Sequence, residues 1–306
     1  MLDPSELFEV DESVSLAGLD RPVLVHTLSG FVDSGSAAEL ARDQLLSTLE
    51  HEVLARFDVD LLLDYRSRRP PMVFDADHWE SYDEPTLALH LLRDQAGTSF
   101  LLLDGAEPDV QWERFIAAVR LLVERLGVRL TVGLHGIPMG VPHTRPVGVT
   151  AHATRPELVS GHEPWIAKVQ VPGSVMNLLE LRLGEAGYDA MGFAVHVPHY
   201  LAQTAYPEAA EVLLTSLSHA TGLDLPTDEL QAAARTTREA VDEQVAASSE
   251  VAAVVTALEQ QYDAYLGARG RSDLLSGAGG FPTADELGAE LERFLAEQAR
   301  GDSPEG

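Results

Sequence analysis

Cysteine is absent from the 306 residues. That removes disulfides, thiolate nucleophiles, iron–sulfur clusters and cysteine-ligated zinc together. Lysine is nearly absent: Lys168 is the one lysine among 21 Lys+Arg residues, so lysine-dependent chemistry rests on a single side chain. No stretch reaches the roughly 18 uninterrupted apolar residues of a membrane span. The N-terminus, MLDPSELFEVDES, has neither the basic nor the apolar region of a signal peptide. A cytoplasmic protein with no membrane partner is expected. Basic charge is scarce as well, with 49 Asp+Glu against 21 Lys+Arg for a net charge of −28. Such a surface repels polyanions and anionic lipid, which excludes nucleic acid as the main partner. The apolar fraction of 45% is enough for a real core, and the length suits one large domain or two ordinary ones.

Up to about residue 223, short apolar runs alternate with helical patterns. Leu24–Leu28, Phe100–Leu103, Leu130–Leu134, Val147–Ala151 and Ala190–Val197 read as buried strands bounded by Gly, Pro or Asp. Helices are expected over Ser36–Leu49, Val110–Leu126, Ser174–Ala186 and Pro207–Ala220, with Gly127 and Gly222 as stops. Strands alternating with helices predict an α/β class with helices on both faces of a sheet. Residues 52–99 are less regular. Within them Asp64–Tyr82, DYRSRRPPMVFDADHWESY, reads as a long excursion able to cross a neighbouring subunit.

From residue 224 the pattern is helical only, which divides the chain into a 1–223 core domain and a 224–306 acidic helical extension. The extension holds 17 acidic and 6 basic residues, a net of −11. Leu230, Ala234, Val241 and Val245 line one face; Val251, Val254, Val255, Leu258, Tyr262 and Leu266 line the next. A Gly/Ser-rich linker, Gly267–Gly280, then leads to a last helix with a Thr283/Glu286 capping box. The extension reads either as a solvated appendage or as a partner-binding arm.

Three constellations carry potential chemistry. In VLVHTLSG-FVDSGS-AAELARDQLL, Gly30 and Gly35 permit unusual backbone angles, Asp33 and Ser34 line the turn, and Ser34 or Ser36 can cap the helix. This is a tight strand-to-helix turn or a phosphate-sized pocket, but neither GxxxxGK[ST] nor GxGxxG is present. In LHGIPMGVPHTRP, His135, His143, Thr144 and Arg145 gather at a strand end, where open α/β sheets place ligands. Arg145 can grip a carboxylate or phosphate, and His143 can exchange a proton near neutral pH; a rigid loop at a subunit contact is the other reading. In HVPHYL, His196 and His199 lack the spacing of a zincin pair. Ser174, in VPGS, is a helix cap before it is a nucleophile. No catalytic residue, metal or cofactor is implied, and Gly30, Asp33, Ser34, Gly35, His135, His143, Thr144, Arg145 and His199 stand as ligand-binding candidates.

The ordered segments GFVDSGSAAELA, LHGIPMGVPHTRP, VPGSVMNLLELRL and MGFAVHVPHYLAQTAYPEAAEVLL resemble the proteasome-assembly-chaperone-2 family. The likeness is to its actinobacterial-type members with a helical C-terminal extension, and it covers roughly residues 15–225. The resemblance implies a three-layer α/β/α sandwich akin to the nucleoside phosphorylase/hydrolase-like fold. It also implies homo-oligomers, with a trimer expected, and a non-catalytic assembly-chaperone role with proteasome subunits as partners. The fold keeps an alternative open: a small-ligand-binding protein, or a phosphorylase- or hydrolase-like enzyme using the sheet-end loops. Met176 and Glu180 do not stand adjacent as the ribose-binding pair of that enzyme pattern does.

Overall fold

The unbroken apolar run Phe100–Leu103 lies mid-sheet, where a strand is covered on both faces and alternation disappears. The computed structural model describes residues 2–162 and 168–272, with side chains to Leu266. In chain order the strands are β1 (Phe8–Val10), β2 (Val23–Ser29), β3 (His51–Phe57), β4 (Met72–Asp75), β5 (His78–Tyr82), β6 (Leu87–Arg93), β7 (Ser99–Ala106), β8 (Leu130–Met139), β9 (Val149–Ala153) and β10 (Ala190–Pro198). The helices are α1 (Ala37–Thr48), α2 (Trp112–Arg125), α3 (Val175–Glu185), α4 (Pro207–Thr221), α5 (Asp228–Ala247) and α6 (Ser249–Ser272).

Eight strands form one sheet in the order β1-β3-β6-β7-β2-β8-β10-β9. Its centre, β7-β2-β8-β10, is parallel. Antiparallel pairs extend it on one side through β6, β3 and β1, and on the other through β9. Successive side chains on β2 serve opposite faces. Val23 and Val25 pack with Ala41, Leu45, Leu213 and Leu214 of α1 and α4. Leu24 packs with Phe115, Val119, Leu179 and Leu183 of α2 and α3. The result is the expected α/β/α sandwich with helices following it.

The described residues fall into two compact units, one comprising 2–162 and 172–259, the other 168–171 and 260–272. In the first unit Leu230 and Val241 of α5 are buried in the same cluster as α1 and α4. Arg238 of α5 also reaches Glu208 of α4 at 2.6 Å.

Several sequence expectations need adjustment. β1, β3 and β6 were not anticipated as strands. β3 carries charges at Glu52 and Arg56, and its register shifts between Val53 and Ala55, which blurs the alternation. The Asp64–Tyr82 excursion contains the β4–β5 hairpin, every residue of which is exposed. The face expected on α6 is split: Val255 is buried, whereas Val251 and Val254 are exposed. Gly267–Ser272, expected to open a linker, continues helix α6. The rest of that linker and the Thr283/Glu286 capping box lie outside the described residues.

Leu230→Ala is expected to cost about 2–5 kcal/mol in urea unfolding, the range for an emptied aliphatic core site. Val254→Ala on α6 should change stability by less than about 0.5 kcal/mol, as exposed substitutions do.

Candidate functional site

β2 ends at Ser29, and the chain turns through Gly30 and a short 3-10 turn, Ser34–Ser36, into α1. Asp33 closes that helix start. Its carboxylate accepts from the amides of Ala38 at 3.0 Å and Glu39 at 3.1 Å, and from Gly136 of β8 at 2.8 Å. Ser36, one of the expected caps, holds a left-handed φ of 48° and its side chain makes no cap bond. Asp33, three residues earlier, does the work expected of Ser34 or Ser36. Burial pushes the Asp33 carboxyl upward, and the three amides oppose that shift. The amides that would receive a phosphate are therefore filled by the protein's own carboxylate.

Two glycines make this junction possible. Gly35, at φ 69°, accepts from the Tyr206 amide at 2.8 Å and donates to the Ala202 carbonyl at 2.9 Å. A Cβ on Gly136 would stand 2.3 Å from the Ser34 carbonyl oxygen. Three chain segments thus meet backbone to backbone, with Ser34 buried between them.

Gly30 has a different role. The space its Cβ would fill holds the Arg68 guanidinium, 2.4 Å from the ideal Cβ position. Arg68 donates to the Ser29 carbonyl at 3.0 Å and pairs with Asp109 at 2.7 Å. Beside it Glu107, at the end of β7, is buried and accepts the Val175 amide at the start of α3 at 2.7 Å. Burial raises the Glu107 carboxyl, against the pull of that amide and of Arg68. Ser174 caps α3 as expected, accepting from the Asn177 amide at 3.2 Å. Sequence reasoning missed Arg68 and Glu107. Arg68 lies 39 residues from Ser29 in the irregular excursion, and an acid closing a buried strand was the only local signal for Glu107.

His143, Thr144 and Arg145 form a second group, in the loop after β8. His143 is buried. Its Nδ1 lies 2.7 Å from the Tyr200 hydroxyl and its Nε2 3.0 Å from Asp242 of α5. The Tyr200 oxygen also accepts the His143 amide at 2.8 Å, so its proton is free for Nδ1, which leaves Nε2–H to donate to Asp242. Burial raises the Tyr200 phenol, keeping it a donor rather than a nucleophile. Thr144 donates to Glu259 of α6 at 2.5 Å, and Arg145 pairs with the same carboxylate at 3.3 Å. The expected gripping residues hold the following helices. His199 stacks edge-on against Tyr200, with ring centroids 5.4 Å apart.

His135 joins neither group. Its ring lies 6.2 Å from that of His152 on the α3 side of the sheet, whereas Asp33 belongs to the α1 side. Burial, then the neighbouring His152, pushes His135 down to about 4. Among the described residues no group of three or more His, Asp or Glu is placed to hold a metal ion, and no helix is long and apolar enough to cross a membrane.

The sequence matches the model of the PAC2 family over residues 27–245. No curated protein matches it. Among solved structures it is similar to a Mycobacterium tuberculosis protein of unknown function, with 51% identity, 88% of this chain and 92% of that chain covered, and a TM-score of 0.83. A Corynebacterium glutamicum protein of unknown function is 40% identical over 85% of this chain and 98% of that one, with a TM-score of 0.81. A proteasome-assembly chaperone homologue of M. tuberculosis shares the fold at 24% identity, with 76% and 99% covered and a TM-score of 0.70.

Asp33→Ala strands the Gly136 amide and the first amides of α1, and is expected to cost about 1–3 kcal/mol in chemical denaturation. Tyr200→Phe and Asp242→Ala should each cost about 1–2 kcal/mol, and the double variant should cost measurably less than their sum because both act through His143. Additive losses would show that the three side chains do not act as one unit.

Proposed function

Because the chain belongs to the PAC2 family, we propose that it is a non-catalytic, self-associating assembly factor for proteasome components. A relative of the same fold is itself a proteasome-assembly chaperone homologue. The observation that carries the reading is where unsatisfied surface remains. The sheet-end amides and the His143–Arg145 loop are engaged within the chain. The β4–β5 hairpin, by contrast, presents Met72, Val73, Phe74, Trp79 and Tyr82 to solvent, with Trp79 64% and Phe74 56% exposed. Contiguous apolar exposure of this kind marks an interaction surface.

The hairpin is the contact by which copies associate in this reading. Asp75, Asp77, Glu80, Asp83 and Glu84 make it acidic, while Arg66 and Arg69 are exposed at its base. A head-to-tail contact, in which the hairpin of one copy meets a different face of the next, closes into a ring when the rotation permits. A homotrimer is proposed, with a cytoplasmic location. The ring then presents its remaining surface to proteasome subunits.

Light scattering on the purified chain is expected to give a multiple of 33.1 kDa. The Phe74→Asp/Trp79→Asp variant should run as a folded monomer. Mixed with α- and β-type proteasome subunits of its own organism, the wild-type chain should speed ring formation, and that variant should not. A monomeric wild type would remove the self-association, and an unchanged assembly rate would remove the chaperone reading.

A further inference from the structure

The two helices on one face of the sheet rest on very different ground. Beneath α2 lie Leu24, Leu89, Leu101 and Leu103, an all-aliphatic floor. On the same face, where α3 docks, the sheet carries histidines set against glycines. One row across β2, β8, β10 and β9 reads His26, Gly133, Gly192, His152 in register. The His26 ring lies over Gly133, 2.7 Å from an ideal Cβ, and the His152 ring over Gly192, 2.4 Å from one. The two imidazoles occupy space that any other residue in those adjacent strands would close. His135 stands two residues beyond Gly133 on the same face, beside Ala194. His196 follows, bonded to Thr150 at 2.8 Å.

The charged surroundings of this cluster are sparse. Glu180 of α3 reaches His152 at 2.8 Å. Arg182 of the same helix pairs outward with Glu113 of α2 and with Glu185. Glu107 sits at the helix start on Val175. His26 is 2% exposed and, among the described residues, its Nδ1 has no hydrogen-bond partner. Among the described residues, a proton placed there meets the imidazoles of His135 and His152 and no carboxylate of its own.

We infer that α3 is an acid-released element: protonation of the His26/His135 cluster expels this helix from the sheet while α2 stays docked. The direction follows from the titrations. Burial first, then His135 and His152, push His26 down to about 3, and His135 titrates at about 4, both below the 6.5 of a free imidazole. The unfolded or opened form therefore binds the protons more readily. The cluster's stabilisation is complete above about pH 6.5 and is lost as pH falls toward those values. Glu107 has the opposite sign: its raised carboxyl favours the folded form as pH falls. The release is therefore driven by His26 and His135 on the sheet and not by the helix cap, and it works against the His152–Glu180 contact at 2.8 Å.

Amide hydrogen exchange on the full chain tests this, with rates corrected for intrinsic pH dependence and peptides from α2 and α3 compared from pH 7 down to pH 4. α3 amides are expected to lose at least about tenfold more protection than α2 amides, since one unit of proton affinity is tenfold in the opening constant. The His26→Asn/His135→Asn variant, normalised to its own pH 7 protection, should lose that pH dependence. His219→Asn, at an exposed site of α4, should keep it. Simultaneous loss of protection in α2 and α3, or a double variant with the wild-type pH profile, overturns the inference.

Discussion

The Asp33 carboxylate is the fixed point on which the sheet-end architecture depends. It joins the turn after β2, the first turn of α1 and the backbone of β8 through three amide donors. Its burial is costly for an ionised group, and only the convergence of those donors offsets the cost. The close approach at Asp33 fixes Gly136 as a glycine, and the left-handed φ of Gly35 beside Tyr206 fixes the second. A helix N-terminus that would serve as an anion site in another α/β protein is here closed from within.

The same economy holds one loop away. His143, Thr144 and Arg145 have the chemistry of a ligand site but spend it on Tyr200, Asp242 and Glu259. Residues 224–259 are held by these polar contacts, by Leu230 and Val241 in the core, and by the Arg238–Glu208 pair. Polar groups at strand ends thus act as struts for the helices that follow. The β4–β5 hairpin carries a group of exposed apolar side chains, Met72, Val73, Phe74, Trp79 and Tyr82.

The central fold was legible because its signals are local. Leu24–Leu28 and Ala190–Val197 are apolar runs too short for helices, and Trp112, Phe115, Val119 and Leu122 repeat at helical spacing. β3 and β6 were not legible, since His51, Arg56 and His90 interrupt their patterns and their pairing is set by distant strands. The candidate site was legible only as a set of positions. That Asp33 rather than a serine caps α1 depends on Gly136, 103 residues away. Arg145 meets Glu259 only because α5 and α6 fold back to the loop. The histidine floor under α3 depends on the register of four strands, which no single segment encodes.

In the proposed function this chain acts through its surfaces on other polypeptides and not through a sheet-end pocket. Native mass spectrometry of the full chain with purified proteasome α-type subunits tests that most directly. A defined complex of an oligomer of this chain with those subunits is expected. An oligomer that ignores them, together with turnover of a nucleoside or ester that vanishes on Asp33→Asn, would contradict it.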